Sequence, residues 1–355
     1  TDEDREGEAI GYHIAKAIGR EPADLPRIVF HENTKNAIQH ALETPRKLDM
    51  NSVDAHQTRR LLDRNVGYKL SPLLESKIQN GLSAGRVQSS TLKLVVDRER
   101  EIKAFIPEEY WTIDALFEKD IDASIYDYNG LKIDKMTVKT EADATEIVTS
   151  AKSESFVVVS LEKTKRKTKT PPPFMTSTLQ QAASTQLGFS PKKTMMVAQK
   201  LYEGVKTDKG TMGVITYMRT DSMNLAKEAV ESAREYIQNS YGDKYLPAKA
   251  KSYVTKSKGA QEAHEAIRPT MVEFDGKTAA DYLSVDELKL YRLIYNRFLA
   301  CQMTEAEMES QTLLFKGDKC TFKASGRKLL FDGFYKVTGY SEKDKLLPEL
   351  EKGQE

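Results

Sequence analysis

The sequence predicts a multidomain fold of α and β structure, with a mainly helical stretch inserted between two halves of a β-rich domain. Three observations carry that expectation. Apolar residues recur at helical spacing over residues 1–103 and again over 176–303. Alternation of period two takes over in 111–161 and 308–340. At 355 residues the chain is also long enough for two or more domains.

Residues 1–19 read as a strand end, a tight acidic turn and a helix, with Ile10, Ile14, Ala17 and Ile18 at helical spacing and Gly19 as a stop. Pro22 and Pro26 punctuate the following loop, Arg27–Phe30 reads as a short strand, and 34–42 as a helix. Helix is expected over 51–80 around Val53, Leu61, Leu62 and Val66, and over 83–103 around Val87, Leu92, Leu94, Val95 and Ile102. Pro107 ends that region. Beyond Tyr110, Trp111–Phe117 alternates, Lys132–Val138 partly alternates, and Phe156–Leu161 is β-branched. Lys163–Lys169 then holds five cations in seven positions and runs into Pro171, Pro172 and Pro173. It reads as a solvated connector stiffened by proline, or as a hinge that touches phosphate. Helix resumes over 176–204, with Leu179, Ala183, Met195, Met196 and Leu201 as core candidates. Val214–Tyr217 suggests a strand, helices follow at 225–239 and 284–303, and Gln311–Phe315 and Phe331–Val337 alternate again.

Composition narrows the class. Hydrophobic residues at 39% and charged residues at 30% fit a soluble globular protein. No run approaches the roughly 18 apolar residues of a membrane span. The start, Thr1 to Glu6, is acidic and lacks an apolar stretch, which argues against a signal peptide. Cys301 and Cys320 have no CxxC partner, so reduced thiols in a cytoplasmic protein are expected rather than a zinc site or a disulfide. A net charge of +1 does not announce a nucleic-acid partner by itself.

Four constellations carry candidate chemistry. Gly213–Leu225 sets Tyr217 after a short apolar run, with Arg219 two residues on and Thr216, Thr220, Asp221 and Ser222 around the pair. A phenol beside a guanidinium suits covalent attack on a phosphodiester, because the guanidinium can hold the phosphate and offset charge on its oxygens. The alternative is a packing tyrosine with a satisfied hydroxyl. Asp2 and Asp4, with Glu6 and Glu8, form the second. On an extended segment residues i and i+2 face one side, so Asp2 and Asp4 can share a hard cation such as Mg²⁺; an acidic helix start is the other explanation. In the third, His264 and Arg268 stand four apart and share a helical face that suits a phosphate, although a structural histidine explains the spacing as well. In the fourth, Ser83 can cap a helix while Arg86 and Gln88 beside its free N–H groups make an anion site. An ordinary capped helix also fits.

These motifs resemble, in order, those of the type IA DNA topoisomerases. Asp2-Glu-Asp-Arg-Glu-Gly-Glu-Ala9 is similar to the acidic signature of the family's Toprim domain. Leu82–Ser89, Val96–Glu101, Pro171–Thr176, Thr216–Ser222 and Gln261–Pro269 look like its other motifs, and the Tyr-Met-Arg-Thr-Asp form is similar to the bacterial topoisomerase I branch. The resemblance implies an isomerase with a torus of four domains. It implies a partial Toprim segment over 1–45 and helical strand-binding segments over 46–106. It further implies a β-rich arch over 107–171 and 304–355, and a helical domain over 172–303 bearing the tyrosine. Tyr217 would form a 5′-phosphotyrosine link with a single strand and Arg219 would hold the scissile phosphate. His264 would stand beside the cleavage site or contact the DNA strand, and Asp2, Asp4 and Glu6 would bind Mg²⁺, used mainly in religation and strand passage. Ser83, Arg86, Gln88, Arg59, Arg60, Thr216, Asp221 and Arg268 would contact DNA. Partners implied are single-stranded and negatively supercoiled DNA, met by a monomer at the bacterial nucleoid, without ATP and without a membrane. The sequence begins at the acidic turn, without the family's upstream glutamate and lysine, and Met223 replaces a usual threonine. A piece of a longer enzyme, inactive alone, is therefore expected.

Overall fold

The structure is a computed structural model and describes residues 1–355 apart from 3, 209, 254–264, 341–345 and 349. Its helices are α1 (Arg5–Ala17), α2 (Lys35–Glu43), α3 (Met50–Lys77), α4 (Arg86–Ala104), α5 (Glu141–Lys152), α6 (Thr176–Leu187), α7 (Pro191–Glu203), α8 (Lys227–Tyr241), α9 (Val285–Gln302) and α10 (Tyr335–Thr338). Its strands are β1 (Asp114–Phe117), β2 (Ile121–Tyr128), β3 (Leu131–Lys132), β4 (Val157–Thr168), β5 (Val205–Thr207), β6 (Gly210–Met212), β7 (Ala306–Lys316) and β8 (Cys320–Phe331). The chain forms two compact units. One comprises Thr1–Phe105, Pro173–Val230 and Ser252–Phe298; the other comprises Ile106–Pro172, Glu231–Lys251 and Leu299–Glu355.

In the first unit, α1 begins where Asp4 caps it: the Gly7 N–H donates to Asp4 Oδ1 at 2.7 Å, with Glu6 and Glu8 in the first turn. Glu8 departs from the expected cation cluster. It is buried, and Arg27 Nε and Arg46 Nη2 donate to its carboxylate, as does the Asp49 N–H at 3.0 Å. That network ties α1 to the start of α3. The expected strand at 27–30 reduces to one bridge, Arg27 to Arg46. The expected helix over 176–204 is broken into α6 and α7. Gly188 ends α6 at φ +67°, a left-handed conformation glycine adopts freely, and Ser190 with Pro191 restarts the helix. Residues 214–217 make isolated bridges rather than a strand, Ile215 to Pro269 and Thr216 to Glu32. Helices α3 and α4 form as the spacing predicts, but their apolar series is not core. Val53 is the buried residue of α3, whereas Leu61, Leu62, Val87, Leu92, Leu94, Val95 and Ile102 are exposed.

The Glu8 network makes acid stability testable. Burial raises the Glu8 pKa, but the Arg46 hydrogen bond, the Asp49 amide and Arg27 outweigh it, so the net shift is downward. A depressed folded-state pKa stabilises above the ordinary glutamate range and is lost as pH falls through the folded value. Glu8→Gln is expected to cost about 2 kcal/mol at neutral pH. It should also flatten the loss of stability below about pH 4, as read by urea unfolding from pH 3 to 7.

The second unit is built on an antiparallel sheet in the order β1-β2-β8-β7-β4, with β3 paired to β2. The basic stretch expected as a connector lies largely within a strand. β4 pairs with β7 from Val157–Lys316 to Thr168–Ala306, which sets Lys163, Lys165 and Lys167 opposite Gln311, Glu309 and Glu307. Lys167 reaches Glu307 at 3.2 Å. Period-two cations matched to acids across the ladder explain why a charged run is strand. Sequence reading missed α5, which Thr140 caps by accepting the Asp143 N–H. The expected alternation at 331–337 also fails: β8 stops at Phe331, Gly333 turns at φ +48°, and α10 follows. Helix α5 and the sheet bury a core with Ile125, Ile147, Leu313 and Phe322, and Phe117 stacks on Phe315 at 4.3 Å. Cys320 belongs to this core. Burial, then Glu154, pushes its thiol up to about 11, so it is a packing group rather than a nucleophile.

Candidate active site

Tyr217 is held by backbone from two sides. Its N–H donates to the His31 carbonyl at 2.9 Å, and the Thr216 N–H donates to the Arg268 carbonyl at 2.9 Å. The Thr216 hydroxyl donates to the Ala266 carbonyl at 2.8 Å and accepts the Arg268 N–H at 3.0 Å. The ring is buried, with 5% of the residue exposed. Its hydroxyl donates to Asp4 Oδ2 at 2.8 Å. A second phenol stands beside it: Tyr202 donates to Asp2 Oδ1 at 3.2 Å, and the two rings meet edge to face at 5.3 Å and 63°. Two phenols thus cap two carboxylates. Burial, and then the acidic neighbours, raise both phenol pKa values well above the ordinary range; Arg219 pulls the other way at Tyr217. Tyr217 is therefore protonated at neutral pH, with a carboxylate already accepting its proton.

Arg219 lies past Tyr217 on a turn that α6 secures. The Thr176 hydroxyl donates to the Met218 carbonyl at 2.7 Å and accepts the Thr220 N–H at 2.9 Å. The Arg219 side chain is exposed and, among the described residues, pairs with Glu6 at 3.7 Å. It lines a cleft of about 860 Å³ with Asp4, Glu6, Arg59, Arg60 and Asp221. An exposed cation beside a buried phenol can meet an incoming phosphate. Gly7 keeps the acidic turn tight, because a Cβ there would strike the Asp2 carbonyl. Gly7→Ala is expected to push the Asp2 backbone away and lower stability by about 1–3 kcal/mol, as seen in thermal unfolding.

The sequence-predicted residues divide into three groups. Tyr217, Arg219, Asp2, Asp4, Arg59, Arg60 and Asp221 come together around this cleft and the adjoining hollow beneath Tyr217. Arg86, Gln88 and Ser83 do not line the cleft, but Arg86 pairs at 2.8 Å with Asp63, which does, and Gln88 donates to the Ser83 hydroxyl. Ser83 does not cap α4; Gly85 occupies that position. Thr216 and Arg268 are buried and already engaged. Arg268 Nη2 meets Glu32 at 3.1 Å and its Nε meets Glu265 at 2.7 Å, so neither Thr216 nor Arg268 is presented to a strand. A short-range phosphate motif cannot reveal a carboxylate 236 positions away in sequence. His264 lies outside the described residues. Tyr202, and His56 in the lining of the cleft, carry no local sequence signal that distinguishes them from packing residues.

The acidic set suits a metal only in part. Among the described residues, no three His, Cys, Asp or Glu side chains stand close enough together to hold an ion. Glu6 turns to Arg219 and so departs from the expected three-carboxylate set. Asp2 and Asp4 do face the same pair of phenols. Mg²⁺ takes one or two carboxylates and completes its shell with water and phosphate oxygens, so these two fit it.

Comparison with known proteins extends this geometry. The family model described as DNA topoisomerase matches residues 47–355. DNA topoisomerase 1 of Campylobacter jejuni is 63% identical over 354 residues, covering all of this chain and 51% of that protein. DNA topoisomerase 1 of Helicobacter pylori is 60% identical, covering 99% of this chain and 48% of the relative. The solved full-length topoisomerase I of Thermotoga maritima superposes with a TM-score of 0.85 at 41% identity, covering 99% of this chain and 56% of that one. The chain spans about half the length of these curated relatives. A match this long, running through the tyrosine turn and the acidic turn alike, places the chain in the bacterial type IA DNA topoisomerase family.

Proposed function

We propose that this chain supplies the strand-cleaving centre of an ATP-independent topoisomerase, an isomerase that relaxes negatively supercoiled DNA through a 5′-phosphotyrosine intermediate. The observation that carries the reading is the Tyr217 hydroxyl donating to Asp4 at 2.8 Å, with Arg219 lining the same cleft. In the forward step the Tyr217 oxygen bonds to phosphorus and the bond to the 3′ oxygen breaks. The phenol proton passes to Asp4, and the departing 3′ oxygen takes up a proton from solvent. Arg219 swings from Glu6 to the phosphate and offsets charge on its oxygens. The phosphotyrosine ester is close in energy to the bond it replaces, so resealing is the reverse reaction and needs no ATP. Asp2 and Asp4 would hold Mg²⁺, which when bound would screen charge among the carboxylates and phosphate oxygens during resealing. Arg59, Arg60, Arg86 and Gln88 are proposed to track a single strand, and the enzyme to act as a monomer. The segments 1–45, 46–106, 107–171 with 304–355, and 172–303 are proposed as its Toprim, strand-binding, arch and tyrosine-bearing parts.

The test is to incubate the full-length protein with oligonucleotide labelled 3′ to the cleavage site, denature it, digest it and sequence the labelled peptide. Label on the peptide containing Tyr217 supports the reading. Free 5′-phosphate ends without protein-bound label would indicate a hydrolytic nuclease. Salt-sensitive binding without cleavage would indicate a strand-binding scaffold.

A further inference from the structure

We infer that Tyr202 is a positioning residue for the strand-transfer tyrosine, joining its ring to the acidic turn; this rests on the reading of Tyr217 as the nucleophile. Tyr202 lies in the last turn of α7 and is 5% exposed. That turn is fixed against the Tyr217 segment independently of either side chain. The Val214 N–H donates to the Leu201 carbonyl at 2.8 Å, and Gly213 lies so close to the Tyr202 carbonyl that a Cβ there would collide with it. From this anchored backbone the Tyr202 ring closes one flank of the Tyr217 ring, edge to face at 5.3 Å. Its hydroxyl continues to Asp2 at 3.2 Å, while Tyr217 itself reaches Asp4.

One side chain therefore touches both halves of a site whose parts lie 200 residues apart in sequence. Packing alone would need only a phenylalanine at this place. The hydroxyl adds a link to Asp2, and the ring limits the directions in which Tyr217 can turn away from Asp4. Both effects reach the reacting atoms through other groups, so Tyr202 positions and does not itself react.

The experiment uses the full-length protein with Tyr202→Leu, which removes ring and hydroxyl, and Tyr202→Phe, which removes the hydroxyl alone. Single-turnover adduct formation is measured with saturating oligonucleotide in EDTA, beside the oligonucleotide Kd and the unfolding midpoint. Tyr202→Leu is expected to slow adduct formation about tenfold or more, with Kd within about twofold of the native value. Tyr202→Phe is expected to restore that rate to within about threefold, which a nonspecific structural defect would not do. A native adduct rate in Tyr202→Leu overturns the inference. Should that variant fail to fold, Tyr202→Met takes its place, and a native adduct rate in it overturns the inference. If the native protein itself forms no adduct at Tyr217, the nucleophile assignment fails instead, and the two failures are distinct.

Discussion

Tyr217→Phe is expected to abolish the covalent protein–DNA adduct completely while leaving fold and strand binding intact. The substitution removes one atom from the site. The amide bonds from Tyr217 to His31 and from Thr216 to Arg268 are backbone interactions and remain. The edge-to-face contact with Tyr202 needs only a ring. Asp4 keeps the Gly7 N–H on its other oxygen. The lost hydroxyl–carboxylate bond is worth about 0.5–1.5 kcal/mol, small beside the stability of a domain. The unfolding midpoint and the oligonucleotide Kd should therefore barely move, while label transfer to protein disappears after denaturation. Residual adduct in the Phe variant would remove Tyr217 from its assigned role.

Arg268→Met is expected to be the most destabilising single change at the site, at about 3–5 kcal/mol, because it strands two carboxylates. The Arg268 guanidinium is almost wholly buried, and Glu32 and Glu265 are its acidic partners. Burial works against its charge, but the two glutamates outweigh that and hold its pKa above the ordinary arginine value. Removing the cation leaves two mostly buried carboxylates without their charge partner, although Glu32 keeps the Thr34 hydroxyl at 2.9 Å. The triple variant Arg268→Met, Glu32→Gln, Glu265→Gln should recover most of the loss, since a neutral set avoids the unpaired charge. Urea unfolding of the single and triple variants checks both statements. Because Arg268 also supplies the carbonyl that holds Thr216, the single variant should loosen the tyrosine segment and raise hydrogen exchange at Thr216 and Tyr217.

The sequence carried the local chemistry of the site better than its long-range organisation. Tyr217, Arg219, Asp2 and Asp4, each read from a short local motif, do come together in the structure. Tyr202 was not legible, because its role comes from a residue 200 positions earlier and leaves no mark on its own neighbours. Arg268 shows the same limit: its spacing from His264 suggested a phosphate, whereas in the structure its guanidinium meets Glu265 nearby and Glu32 far away in sequence. Helices α1, α3, α4 and α9 followed from periodicity. The split between α6 and α7 was overlooked although Gly188 and Pro191 mark it. The charged run within β4 hid a strand, because the signal lay in its pairing with Glu307 and Glu309 rather than in apolar alternation. Periodicity also cannot say whether an apolar stripe is covered. The α3 and α4 stripes satisfy every local test for a core face and lie exposed among the described residues.

The bond between Tyr217 and Asp4 spans 213 residues, which gives it a meaning in time as well as space. A nascent chain emerging at about 5–20 residues per second carries its acidic turn for on the order of ten seconds or more before the tyrosine appears. The segment that secures the other side of Tyr217, around Arg268, comes later still. Closing loops of this length is among the slow, entropically costly steps of folding. Until they close, the phenol has neither its carboxylate nor its fixed backbone. A partly made chain thus lacks the assembled tyrosine–carboxylate pair, and under the proposed mechanism strand cleavage arrives only when these contacts form.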